Sequence, residues 1–167
     1  LLVSEQSDLR PEDIEEYAAL IEKTGQLLMF LISDILDLSK IESNTMEFNV
    51  SVFSLNKMFA DIARMQRLNV KPGVELIADL PAEDVSITAD PVRLEQVVNN
   101  LINNAIKFTS RGSIRIGYRR RGEKDIELFV EDTGKGMSEE VIAHVFERFY
   151  KGDSFVQGTG LGLAICK

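Results

Sequence analysis

The chain has 167 residues, 44% hydrophobic and 28% charged, with 19 Lys and Arg against 27 Asp and Glu for a net charge of −8. That length holds one domain plus an extra helix or hairpin. The acidic balance excludes a general nucleic-acid binder, which needs a basic footprint. One histidine, His144, and one cysteine, Cys166, exclude a disulfide framework and a Cys/His zinc site. A lone cysteine fits a reducing, cytoplasmic setting. No apolar run reaches the roughly 20 residues that a membrane-spanning helix needs. No signal peptide is visible, and a start at Leu1 reads as a piece of something longer.

Residues 11–43 form one long helix in this reading. Pro11 suits a first helical position, and Glu12, Asp13, Glu15 and Glu16 suit the positive end of the helix dipole. With Ile14 at heptad position a, Ile21, Leu28 and Ile35 follow at a, and Tyr17, Thr24, Leu31 and Leu38 fall at d. Leu20, Leu27 and Ile41 widen the stripe beyond a two-stranded seam, which fits a four-helix bundle.

The period then changes. Met46, Phe48, Val50 and Val52 alternate as a strand, and residues 55–69 are helical with Leu55, Met58, Phe59, Ile62 and Met65 on one side. Lys71-Pro72-Gly73 is a turn. Short strands are expected at 74–79 and 85–88. Asp90 caps a helix that has Pro91 in its first turn and runs to Phe108. Strands 113–119 and 125–131 make a hairpin around Arg121-Gly122. Ser138 caps a short helix, a loop covers 150–159, and another helix starts at Leu161. Helices and antiparallel strands mix without strict alternation, the pattern of an α+β sandwich.

Three segments carry chemistry. On the helix 91–108, Asn100, Asn104 and Lys107 fall within about 60° of one another, opposite Leu94, Val97, Val98, Leu101, Ala105 and Phe108. Four asparagines in residues 99–104 weaken that helix. A carboxamide oxygen is a neutral ligand for Mg²⁺, and a lysine one turn away reaches phosphate. A merely solvated face explains the stripe as well. In the strand 126–132, Ile126, Leu128 and Val130 lead Asp132 onto the buried side. A buried carboxylate needs a donor. Adenine's exocyclic amino group is one, whereas guanine presents an acceptor there. Gly134 and Gly136 follow at once, as they also would in an ordinary strand-end turn. Finally, residues 158–164, Gly-Thr-Gly-Leu-Gly-Leu-Ala, lead a glycine-rich loop into a helix start, where free amides favour phosphate. Neither a P-loop nor the eukaryotic protein-kinase motifs occur.

Residues 100–109, 132–137, 146–150 and 158–165 resemble the N box, first glycine box, F box and second glycine box of the sensor histidine kinases of two-component systems. They stand in that order at the family's approximate spacing. Residues 31–42 are similar to the second helix of the family's dimerisation and phosphotransfer hairpin. The resemblance implies a two-layer α/β sandwich of the Bergerat type, shared with gyrase, preceded by one long helix of a four-helix bundle. It divides the chain into 1–44, the end of a first helix and a second helix, and 45–167, a catalytic ATP-binding domain whose usual last helix and strands would lie beyond Lys167.

It also implies ATP and Mg²⁺ as ligands. Asn104 and Asn100 would serve the metal and Lys107 the phosphates. Asp132 would read adenine, Gly134 and Gly136 would shape the base pocket, and Gly158, Gly160, Leu161 and Gly162 would flank the phosphates. Related hydrolases carry a glutamate where Asn100 stands. A carboxamide cannot take a proton, so the implied reaction is transfer to a histidine, not to water. That histidine would lie upstream, because His144 falls between two boxes. The implied partners are a second copy through the bundle and the receiver domain of a response regulator. Any membrane anchor would lie outside these residues.

Overall fold

The computed structural model describes residues 10–122, 125–152 and 159–167. The chain separates into two compact units with the boundary between Thr45 and Met46.

The first unit holds α1 (Pro11–Glu42), 32 residues long. Arg10 opens it without a side-chain cap of its own. Instead Asp13 accepts the Arg10 amide at 3.1 Å and pairs with its guanidinium. The heptad residues Ile14, Ile21, Leu28 and Ile35 are exposed, and so are Met29, Phe30 and Leu36, which lie off the stripe. Apolar surface therefore extends further around the C-terminal half than the heptad pattern indicates.

The second unit begins with β1 (Ser51–Ser54), followed by α2 (Leu55–Gln66), β2 (Val74–Asp79), β3 (Ser86–Ala89) and α3 (Pro91–Phe108). It continues with β4 (Gly112–Arg121), β5 (Asp125–Asp132), α4 (Glu139–His144) and α5 (Gly162–Ile165). β1 pairs antiparallel with β3. A second sheet has the order β2-β4-β5, parallel then antiparallel. A parallel pair needs a crossover, and β3 with α3 provides it. α2 and α3 cover one face of this sheet, giving the expected two-layer α+β sandwich.

The core lies between those layers. Leu55, Phe59 and Ile62 from α2 meet Val98, Ile102 and Ala105 from α3 and Ile114, Ile116 and Tyr118 from β4, all at most 4% exposed. The period of two sends Arg115, Arg119 and Arg121 to the other face, where they pair with Asp79, Glu127 and Glu131. Between them, Gly117 must lack a side chain, since a Cβ there would come 2.0 Å from the Asp79 carbonyl oxygen.

Two expectations are corrected. The alternating set Met46, Phe48, Val50, Val52 is not a buried strand face. β1 starts only at Ser51, because its partner β3 offers four residues, and Phe53 turns inward opposite Ile87 while Val52 points out. The buried face of α3 is centred on Val98 and Ile102, with Leu94, Ala105 and Ile106. Val97, Leu101 and Phe108 flank it and are only half-buried. Smaller shifts move the end of α2 from 69 to 66 and β3 one residue later.

Candidate active site

α3 carries the first part of the site. Asp90 caps it by accepting the amides of Val92 and Arg93 at 2.9 and 3.1 Å, and it also accepts the Asn49 amide at 2.8 Å. These donors, led by Arg93 and then Asn49, hold its carboxyl below the ordinary 3.8. At the far end, Lys71 Nζ donates to the Lys107 carbonyl at 2.9 Å, placing a cation on the negative end of the helix dipole. The helix is thereby tied at both ends despite its asparagines.

Between those ends Asn100 and Asn104 are half-buried on one stripe with Lys107. Asn100 Nδ2 donates to the Gly162 carbonyl at 3.2 Å. The same carbonyl accepts Cys166 Sγ at 3.1 Å. The Asn104 carboxamide has no hydrogen-bond partner among the described residues. The Lys107 ammonium lies 5.0 Å from the Phe108 ring centre, and that of Lys135 lies 5.2 Å from it. Two amide oxygens and two cations thus collect along α3 and the loop after β5.

Asp132 lies at the end of β5, on the face of Ile126, Leu128 and Val130, as its spacing requires. It is exposed, however, not buried. It is the last residue of β5, directly opposite Ile114. Its Oδ1 accepts the Gly134 amide at 2.8 Å and the Thr109 hydroxyl at 3.3 Å. Thr109, with no exposed surface, went unread in the sequence, where it stands only as the last letter of a box. Gly136 has φ +68 and nothing within 4 Å of a Cβ position, an open left-handed turn.

The second glycine segment meets α3 through α5. Leu161 has no exposed surface, and Gly160, at φ +73, lies against Phe149, whose amide donates to the Gly160 carbonyl at 2.9 Å. Phe149 is itself left-handed at φ +59, a strained pairing of the kind found at functional sites. Gly158 and the middle of the loop 150–159, together with residues 1–9, lie outside the described residues. His144 makes no hydrogen bond to these groups; its Nδ1 is 2.7 Å from Glu147, and its ring centre lies 5.5 Å from that of Tyr150, tilted by 37°.

This donor set suits an Mg²⁺ ion that keeps most of its oxygen ligands from phosphate and water. No cluster of three or more His, Cys, Asp or Glu among the described residues could hold a metal by itself. Neutral amide oxygens would add ligation without excess negative charge beside a polyphosphate. The cleft of about 410 Å³ at the opposite end of β4, between Pro81, Tyr118, Arg119 and Phe129, contains none of these residues. No described helix is long and apolar enough to cross a membrane.

The family described as histidine kinase-, DNA gyrase B- and HSP90-like ATPase matches residues 89–167. The chain is 37% identical over 163 residues to sensor histidine kinase RcsC of Salmonella typhimurium, covering 94% of this chain and 17% of that relative. The fold is similar to that of full-length ShkA in complex with AMPPNP. The TM-score is 0.79 at 26% identity, covering 95% of this chain and 34% of that one. Histidine kinase ThkA in complex with response regulator protein TrrA shares the fold, with a TM-score of 0.68 at 24% identity over 94% of this chain and 44% of that one.

Proposed function

We propose that this chain, whose residues 89–167 match the histidine kinase-, DNA gyrase B- and HSP90-like ATPase family, is the ATP-binding catalytic region of a sensor histidine kinase. It transfers the ATP γ-phosphoryl group to a histidine upstream of these residues, for relay to a response regulator. The observation that carries the reading is the Asn100–Gly162 hydrogen bond. It joins two motifs 62 residues apart, so that the amide stripe of α3 faces the start of α5.

In this reading Asp132 accepts the adenine amino group, with Gly134 and Gly136 leaving room for the base. Asn104 and Asn100 would hold Mg²⁺, which would neutralise phosphate charge when bound. Lys107 contacts the phosphates, and Gly158, Gly160, Leu161 and Gly162 flank them. The acceptor imidazole attacks with its own ring-nitrogen lone pair. A nitrogen–phosphorus bond forms as the bond to the β,γ-bridging oxygen breaks, and ADP leaves. Such a step needs positioning and charge balance more than a protein base, which agrees with Asn100 being unable to take a proton.

Residues 1–44 supply part of the dimerisation and phosphotransfer domain, and 45–167 the catalytic domain. The exposed stripe of α1 supports a homodimer through a four-helix bundle. The ThkA–TrrA complex supports a receiver domain as the next acceptor. ATP chemistry and a sequence with a single cysteine, which allows no disulfide within the chain, support a cytoplasmic location. The test is incubation of this chain with labelled ATP, Mg²⁺ and a separate bundle fragment carrying the acceptor histidine. Acid-labile, base-stable label on that fragment is expected. Tight ATP binding with no transfer, or release of phosphate to water alone, would reject the proposal.

A further inference from the structure

Thr109 closes the C-terminal end of α3 and is fully buried. A hydroxyl taken out of water needs a partner inside the protein. Its partner is Asp132 Oδ1, at 3.3 Å. The Gly134 amide donates to the same oxygen at 2.8 Å. Two donors from separate segments therefore grip one carboxylate oxygen, and neither bond occupies Oδ2. Without them an exposed aspartate samples several rotamers, and ordering it on binding costs affinity.

Thr109 is itself held firmly. Its amide donates to the Ala105 carbonyl at 2.9 Å, and its carbonyl lies 3.5 Å from Lys71 Nζ. Gly134 is equally constrained, since a Cβ there would come 2.6 Å from the Phe108 carbonyl oxygen and 2.7 Å from Asp132 Oδ1. The carboxylate is thus locked to the α3 terminus on one side and to a backbone that tolerates no side chain on the other.

We propose that Thr109 is a positioning residue that fixes the Asp132 carboxylate for a 6-amino purine, so that base selection depends on a buried hydroxyl that does not touch the nucleotide. This rests on the reading of Asp132 as the acceptor for adenine. Thr109→Val keeps the shape and removes the hydroxyl; Thr109→Ser keeps the hydroxyl. Thr109→Ala makes the same test should the valine variant not fold.

Each variant is titrated by calorimetry with ATP and with purine riboside triphosphate, which lacks the amino group. Thr109→Val should lose roughly five- to tenfold in ATP affinity, the scale of one hydrogen bond, and keep its affinity for the analogue. Thr109→Ser should restore the preference. Loss for neither nucleotide, or equal loss for both, overturns the proposal and leaves Thr109 a packing residue. Asp132→Ala separates the two levels. If it leaves the ATP preference intact, the adenine reading is wrong and the role of Thr109 falls with it. If it abolishes the preference while Thr109→Val does not, only the inference about Thr109 is wrong.

Discussion

Replacing Gly160 with alanine should loosen the junction between the F-box segment and α5, and the size of the effect follows from the geometry. Gly160 sits at φ +73, where a side chain costs about 1–2 kcal/mol. A Cβ there would also come 2.8 Å from both Cα and C of Phe149, against roughly 3.5–4.0 Å for carbons at rest. Backbone must therefore move by more than half an ångström, on the scale of overpacking, about 1–3 kcal/mol. Phe149 cannot yield cheaply, being already left-handed. The easiest relief is to break the bond from the Phe149 amide to the Gly160 carbonyl. At 1.4 kcal/mol per tenfold, a cost of about 2–5 kcal/mol speeds exchange of the Phe149 amide by roughly 30- to 4,000-fold. Hydrogen exchange read at that amide is the assay. Gly162→Ala is the control: its Cβ would lie 3.5 Å from Asn100 Cγ, an ordinary contact, at the first position of α5. Alanine should be tolerated there or slightly stabilising. Wild-type exchange in Gly160→Ala, or greater damage from Gly162→Ala, would refute the reasoning.

Asn104→Ala should weaken the Mg²⁺ dependence of ATP binding with little change in melting temperature, because the carboxamide bonds nothing among the described residues; an unchanged Mg²⁺ titration would count against it as a ligand. Tyr118→Phe should cost about 1–3 kcal/mol in urea unfolding, since the buried hydroxyl donates to Asn56 at 2.7 Å and accepts the Val85 amide at 3.3 Å. Burial also raises the Tyr118 phenol above its usual 10.0. The native state then holds that proton more tightly, so its contribution is present below pH 10 and lost above it; Tyr118→Phe should show a shallower alkaline decline. The Asp90 carboxyl is shifted the other way, held down by the Arg93 and Asn49 amides. Its contribution is full above pH 3.8 and disappears as the pH falls through the lowered value, so Asp90→Ala should melt several degrees lower at neutral pH and lose less on acidification.

Much of the placement of the candidate site residues was legible because helices and strands have fixed periods. The period of 3.6 put Asn100, Asn104 and Lys107 on one stripe, and the period of two put Asp132 on the face of Leu128 and Val130. Asp90, Pro91 and Ser138 marked helix starts through their local chemistry, and each does start a helix. The hairpin around Gly122 formed as its turn residues indicated. Thr109 was not legible, because its partner is 23 residues away and nothing local distinguishes its hydroxyl from one facing water. Lys71 likewise looked like a turn residue, yet it closes the end of α3 from 36 residues away.

Periodicity tells which side a residue takes but not how far the opposing layer extends. That is why Asp132 lies on the core face and is still exposed, and why the apolar series from Met46 to Val52 is not a buried strand. Local sequence determined the elements, their caps and the residue types offered to a ligand, since those depend on neighbours within about one helical turn or one strand repeat. The β2-β4-β5 order, the covering of Ile102 but not Leu101, the grip of two donors on one Asp132 oxygen and the Asn100–Gly162 bond all join segments distant in the chain. Such contacts exist only once the two layers have packed, and no short window of sequence contains both partners.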